Sequence, residues 1–174
     1  QFMHEKFGFK FDESDYVRGP VQANFVMRSF DDKTSRGSLE LNMETATVSL
    51  LSLGWVKGAG IKGKIETDID FKNNKPTNIP RFKIDISDLK VNGSATFVTS
   101  GKAIDKINLA SVKFGRTDMQ GTVNLESEDW TEYQLKGKSL DLSDIWSRFS
   151  NDDNKEISTE RKETPKFRLF LNFD

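Results

Sequence analysis

The chain has 174 residues, of which 35% are hydrophobic and 30% charged, and its formal net charge is -1 at pH 7. This length suits one domain. The near balance of 26 Lys and Arg against 27 Asp and Glu does not favour a nucleic-acid partner. The absence of cysteine excludes disulfides and thiolate chemistry. No apolar run approaches the roughly 18 residues of a membrane-spanning helix.

Apolar and polar residues alternate along most of the chain, which is the period of strands with one apolar and one polar face. The clearest case lies within residues 112–143, where Met119, Gly121 and Val123 share one face. A turn at 126–129 then leads to an answering strand. In chain order, the alternation predicts about ten strands, near residues 7–11, 21–28, 39–50, 61–71, 82–86, 91–97, 107–114, 119–125, 133–142 and 167–173.

Three stretches break the alternation. Residues 72–78, with the sequence KNNKPTN, predict a loop. Ser143 followed by an acidic residue is typical of a helix N-cap, and we expect one short helix near residues 143–149. Residues 150–166 are polar and charged, which predicts a mobile loop.

The whole chain, residues 1–174, is expected to form a single β-rich module. It opens at Gln1 and stops inside an alternating run, so we expect it to be a fragment of a longer polypeptide. Strands joined by short turns pair antiparallel, and the expected fold is therefore mainly β, a long antiparallel meander.

Such a sheet has an apolar face that must be covered. Burial of one Leu or Phe side chain contributes about 1.5 to 3 kcal/mol, and one short helix covers only one end. Three arrangements remain: a sandwich of two halves, a closed barrel, or an open groove or half-barrel that holds an apolar ligand. The lean apolar content and the glycines within strands, Gly93, Gly121 and Gly137, favour the open groove.

Catalytic chemistry is not indicated. His4 is the single histidine, and residues 151–154 have oxygen ligands but lack the glycine and distal Glu of a calcium loop. Asp68 and Asp70 share the polar face of a strand beside Lys62 and Lys64, which favours solvated cross-strand pairing rather than a paired acid and base. We therefore expect no enzyme activity, no cofactor and no metal.

Arg116 and Asp118 are two residues apart and share one face, so we expect them to pair and fix a turn; the alternative is that Arg116 contacts a lipid phosphate. Trp55 and Trp146 suit either the rim of a groove or a plug at the end of a sheet.

Three segments carry a resemblance to a known family. LSLGWVKGAG at 51–60, FGRTDMQG at 114–121 and LKGKSLDLS at 135–143 occur in an order and spacing similar to the YhdP-type branch of the AsmA-like bacterial envelope proteins. The similarity covers roughly residues 21–143, and its motifs are structural turns rather than catalytic signatures.

The resemblance implies a long β-groove that is anchored to the inner membrane and conducts phospholipids across the periplasm towards the outer membrane, supporting envelope integrity. This chain would be a periplasmic segment of that groove. Its expected partners are phospholipid acyl chains and neighbouring β repeats of the same polypeptide, with the membrane reached through segments outside this chain.

For lipid conduction the contact residues would be the inward-facing apolar set. The alternatives are that the same residues form the dry core of a β-sandwich interaction or scaffold module, or line the closed cavity of a soluble lipid carrier. The predicted groove-lining residues are Phe25, Met27, Leu41, Ile65, Ile69, Phe82, Ile84, Phe97, Leu109, Met119, Val123 and Leu135.

Overall fold

The computed structural model describes residues 16–50, 55–125, 130–141, 143 and 166–173. Some predicted elements lie outside this described part: the strand at 7–11, the turn at 126–129, the helix at 143–149 beyond Ser143, and the loop at 150–166 up to residue 165. Within the described ranges, no helix is long and apolar enough to cross a membrane.

Strands dominate the described chain. Their bounds, in chain order, are β1 (Val17–Arg18), β2 (Gln22–Ser29), β3 (Thr34–Asn42), β4 (Thr47–Leu50), β5 (Trp55–Lys57), β6 (Gly63–Lys72), β7 (Lys75–Ile86), β8 (Leu89–Phe97), β9 (Ile104–Phe114), β10 (Thr117–Asn124), β11 (Trp130–Ser139) and β12 (Lys166–Phe173).

A nine-stranded sheet in the order β12-β11-β10-β9-β8-β7-β6-β3-β2 forms the body of the fold. Within the part of the chain that the structure describes, this sheet does not close into a barrel, and β12 and β2 are its two edges. The expected mainly β, mostly antiparallel and open architecture is confirmed. Two details differ from a simple meander: β4 and β5 leave to join β1 in a three-stranded sheet, and β12 pairs with β11 in parallel.

The prediction of a loop over residues 72–78 was wrong, because only Asn73 and Asn74 lie between the two strands. These two residues have positive φ values of 52 and 60 degrees and close a two-residue hairpin turn between β6 and β7. Asparagine tolerates this left-handed conformation, and two such residues match the twist of the flanking strands. Strand β7 therefore begins already at Lys75 and includes Pro76.

An extra residue near Pro80 shifts the register of β7. Ile79 pairs with Ala95 and Phe82 pairs with Gly93, so three steps along β7 match two steps along β8. Proline has no backbone N–H for the ladder and is tolerated at such a bulge. Apolar side chains occupy odd-numbered positions before the bulge and even-numbered positions after it. Because the bulge adds one residue, both sets lie on the same face of the sheet.

Strand β9 contains a second bulge, at residues 110–111. Val112 pairs with Met119 while Leu109 pairs with Gly121, so three steps along β9 match two along β10. The register with β8 shifts at the same place. Again the bulge keeps the apolar side chains before and after it on one face of the sheet.

The hydrophobic core lies where the three-stranded sheet packs against one margin of the large sheet. Its buried residues are Met43, Val48, Trp55, Ile86 and Leu89. The Trp55 indole Nε1 donates a hydrogen bond of 2.8 Å to Asp88 Oδ1, and the residue is 6% exposed. Partly buried residues around the cluster are Val17, Leu41, Leu50, Ile65, Ile84, Val91 and Phe114.

Lys57 ties the small sheet to the turn that follows β3. Its side chain is 1% exposed, and its ammonium donates hydrogen bonds to the backbone carbonyls of Met43, at 2.5 Å, and Ala46, at 2.6 Å. The carbonyl of Glu44 lies 3.4 Å away. A buried ammonium needs such acceptors because an unsatisfied buried charge is costly.

Glycine is required where neighbouring strands approach closely. A Cβ added at Gly121 would lie 2.1 Å from the carbonyl oxygen of Gln134 and 2.9 Å from a methyl of Leu135. At Gly93, an added Cβ would lie 2.3 Å from the carbonyl oxygen of Asn108. Both glycines lie beside the β9 bulge, where only a residue without a side chain fits.

We predict that Gly121→Ala destabilises the fold by about 1 to 3 kcal/mol, because the added methyl meets backbone that cannot move aside easily. Gly58→Ala is the matched control, since no atom lies within 4 Å of a Cβ added there. The control should change the free energy of unfolding by less than about 0.5 kcal/mol. Denaturant titration measures both. Equal unfolding midpoints for the Gly121→Ala variant and the control would contradict the close approach of β10 and β11.

Candidate functional site

The strand register places the apolar side chains on one face of the nine-stranded sheet, because direct cross-strand partners share a face. Three rows run across the strands. The core row is Ala23, Leu41, Ile65, Ile84, Val91, Val112, Met119, Gly137 and Phe173. The middle row is Phe25, Leu39, Thr67, Phe82, Gly93, Leu109, Gly121, Leu135 and Leu171.

The far row is interrupted at the β7 bulge. Its two parts are Met27, Gly37 and Ile69 on one side, and Ile79, Ala95, Ile107, Val123, Tyr133 and Leu169 on the other.

All the predicted groove-lining residues fall on this apolar face. Phe97 lies beyond the far row and pairs with Ile104. The others divide among the rows. Leu41, Ile65, Ile84 and Met119 belong to the core row, Phe25, Phe82, Leu109 and Leu135 to the middle row, and Met27, Ile69 and Val123 to the far row.

The three rows differ in what covers them. In the core row, Leu41, Ile65, Ile84 and Val91 pack against the buried cluster. No middle-row residue belongs to that cluster or to the residues packed on it, in the part of the chain that the structure describes. The three-stranded sheet therefore forms a wall along one margin of the apolar face and does not cover the middle row.

Exposure on the middle and far rows is graded. At the edges, Phe25 and Met27 are each 48% exposed, and Leu171 is 47% exposed. In the interior, Leu109 and the other predicted middle-row residues are partly exposed. Val123 is buried, at 8% exposure. The face is thus sealed in places and accessible in others.

The opposite face carries cross-strand ion pairs. The Arg36 guanidinium donates to Asp70 Oδ1 at 2.6 Å, and Asp68 accepts hydrogen bonds from Ser38 and Arg81. The predicted cross-strand pairing of the two aspartates is confirmed, and the cations are Arg36 on β3 and Arg81 on β7. Such exposed pairs contribute little individually to stability and keep this face hydrated.

Arg116 does not pair with Asp118, and that prediction was wrong. Its Nε donates to Asp141 Oδ2 at 2.7 Å, while Asp118 lies 3.6 Å from the Lys113 ammonium. The Asp141 carboxylate also accepts hydrogen bonds from the Ser143 amide and hydroxyl. Arg116 and then Ser143 hold the pKa of Asp141 well below its ordinary value. The segments FGRTDMQG and LKGKSLDLS are thereby joined in space.

A depression of about 760 Å³ opens on the polar face across β9 to β12. The backbone of the middle row forms its floor, and polar side chains of the rungs on either side form its walls. Sequence reasoning missed this site; its signal is the run of uncharged amide residues at alternating positions of neighbouring strands. The lining residues are Asn108, Leu109, Ala110, Gln120, Gly121, Thr122, Gln134, Leu135, Lys136, Phe170, Leu171 and Asn172.

Metal-binding geometry is not found in the described ranges, where no group of three or more His, Cys, Asp or Glu could hold an ion. His4, Trp146 and residues 151–154 lie outside those ranges. Comparison of the chain with family models, curated proteins and solved structures found no match.

We predict that Arg116→Gln raises the pKa of Asp141 towards its ordinary value, but only part of the way, because Ser143 still donates to the carboxylate. The lowered pKa of Asp141 stabilises the folded state at pH values above the ordinary aspartate pKa of about 3.9. This contribution is lost as the pH falls through the lower pKa of the folded state. Carboxyl-carbon NMR titration measures the shift. Lys113→Gln is the control, and a pKa of Asp141 unchanged by Arg116→Gln would contradict the assigned cause.

Proposed function

We propose that the chain is a segment of a lipid-conducting β-groove whose middle and far rows contact phospholipid acyl chains. The observation that carries this proposal is the continuity of the middle row through all strands of the large sheet, without any covering residue from the buried cluster. Apolar surface left partly exposed in this way is favourable for binding hydrocarbon.

Dimensions support an acyl-chain ligand. Strands lie about 4.8 Å apart, so the nine strands extend the rows over roughly 38 Å. One leaflet of hydrocarbon is about 15 Å thick, half of the bilayer core, so the rows exceed the length of a single acyl chain. Covering the exposed half of a Leu or Phe side chain contributes about 1 kcal/mol.

The path for lipid would run across the strands, from one sheet edge to the other. Both edges carry exposed apolar residues, Phe25 and Met27 on β2 and Leu169 and Leu171 on β12. Neighbouring β repeats of the same polypeptide would extend the rows beyond these edges, since edge strands offer unpaired backbone groups.

The resemblance to the YhdP-type branch of the AsmA-like proteins supplies the biological setting of the proposal. In that setting the segment lies in the periplasm, an anchor outside this chain holds the protein in the inner membrane, and phospholipid moves to the outer membrane. The protein performs no catalytic step; its contribution is a continuous apolar surface.

A second candidate is a β-rich interaction or scaffold module with a dry core. Ala95 and Val123 of the far row and Val112 of the core row favour it, because they are buried at 4%, 8% and 9% exposure. In that case the apolar face needs no hydrocarbon ligand. Recovery or absence of lipid in organic extracts of gently purified protein distinguishes the two candidates.

We predict that a photo-crosslinking residue at Leu109 captures phospholipid, whereas the same residue at Asn108 does not. The two positions are adjacent in β9 and project to opposite faces of the sheet. Mass spectrometry of the crosslinked protein after irradiation in cells measures the adduct. Capture of protein alone at Leu109, or of lipid equally at both positions, would contradict the lipid-conducting groove.

We also predict that Leu109→Asp abolishes lipid recovery while Asn108→Asp leaves it unchanged, because a carboxylate on the apolar face repels hydrocarbon. Leu109 is a sharper test than Ile84, which packs against the buried cluster and would unfold the core if charged. Circular dichroism checks that both variants fold. Full lipid recovery with a folded Leu109→Asp variant would overturn the assignment of the middle row.

A further inference from the structure

The polar face carries ion pairs across most of its width, including Lys113 with Asp118 on β9 and β10, but one depression on it is lined mainly by uncharged side chains. From β3 to β8 the polar face carries ion pairs, including Arg36 with Asp70 and Lys90 with Asp85. Across β9 to β12, the depression of about 760 Å³ is walled mainly by uncharged hydrogen-bonding side chains, and Lys136 is the one charged residue among the described residues of its lining. No carboxylate is among the lining residues that the structure describes.

The amides in this depression are available to a ligand. In the described part of the chain, the side-chain amides of Asn108, Gln120 and Asn172 make no hydrogen bond, whereas Gln134 donates to Glu132 Oε1 at 2.7 Å. Each amide presents both an acceptor oxygen and an NH₂ donor. A hydroxyl group is likewise both donor and acceptor, so paired amides and hydroxyls satisfy each other without any charge.

The strand register arranges these groups in rungs. Asn108, Thr122, Gln134 and Phe170 are direct partners across β9 to β12, and Gln120, Lys136 and Asn172 form the adjacent rung. Successive strands are about 4.8 Å apart, which is close to the length of one ring unit in an extended sugar chain. The volume also falls within the usual range of about 300 to 1,000 Å³ for ligand sites.

Phe170 supplies an aromatic surface at the end of the first rung. Its side chain is 55% exposed and lies on the polar face, away from the apolar rows. An exposed aromatic ring beside hydrogen-bonding groups offers both apolar and polar contacts to a ligand of mixed character. The C–H face of a pyranose packs on such a ring while its hydroxyls reach the amides.

We propose that this depression binds an uncharged, extended oligosaccharide that lies across strands β9 to β12. The β9 bulge at residues 110–111 shapes the site, since Ala110 lines it and bulges re-aim neighbouring side chains. Among the described lining residues a polyanionic ligand would meet Lys136 alone, which is too little to neutralise it. The site is on the opposite face from the apolar rows and does not depend on the lipid proposal.

The test uses the full chain with cellotetraose, an extended neutral sugar, and maltotetraose, a curved one. Two-dimensional NMR follows the side-chain NH₂ signals of Asn108 and Gln120 as each sugar is added. We expect saturable shifts with cellotetraose at a dissociation constant of about 1 mM or tighter, and weaker binding of maltotetraose. No shift with either sugar, or equal binding of both, would overturn the proposal.

Variants assign the binding to this depression. Asn108→Ala, Gln120→Ala and Phe170→Ala should each weaken cellotetraose binding about three- to tenfold, because each removes one contact group. Lys83→Ala is the control, as an exposed residue of β7 outside the lining. Unfolding midpoints establish that the variants fold. Binding that is unaffected by all three substitutions, or reduced equally by the control, would place the sugar elsewhere and overturn the assignment.

Discussion

The structure depends on one constraint, which is that the apolar side chains of nine strands must all lie on the same face of the large sheet. A slip of one residue in any ladder would move the apolar side chains of that strand to the polar face. The chain meets this constraint with bulges at Pro80 and at residues 110–111, each of which shifts the register against both neighbouring strands. Gly93 and Gly121 flank the second bulge and allow the backbones to approach there.

The same constraint divides the molecule into regions with different roles. The three-stranded sheet and its buried cluster stabilise one margin, where the core row is packed as in an ordinary domain. The middle row has no such cover from the cluster, and its interior side chains are partly exposed. The polar face adds only weak pairwise ion interactions to the stability of the fold.

Period-two alternation predicted much of the fold, because it depends only on local sequence. Strands such as β2, β8 and β10 lie close to their predicted positions, and the predicted groove-lining residues share one face. Partner choice is not a local property. The departure of β4 and β5 to a second sheet and the parallel pairing of β12 were therefore not predicted.

The side-chain pairs show the same limit. Arg116 and Asp141 are 25 residues apart in sequence and meet because β10 and β11 are neighbours, which a spacing rule within one strand misses. The depression across β9 to β12 was missed for a similar reason, since Asn108, Gln120 and Gln134 come together only when three strands are in register.

The burial of Lys57 gives the small sheet a chemical reporter. Acylation of a lysine requires a free, accessible amine, and this one is enclosed with its protons directed at the carbonyls of Met43 and Ala46. Lysines on the surface react with an amine-selective reagent at once, whereas Lys57 reacts only when the small sheet detaches from the turn after β3. The rate at which Lys57 is labelled therefore measures local opening at this margin, separately from global unfolding.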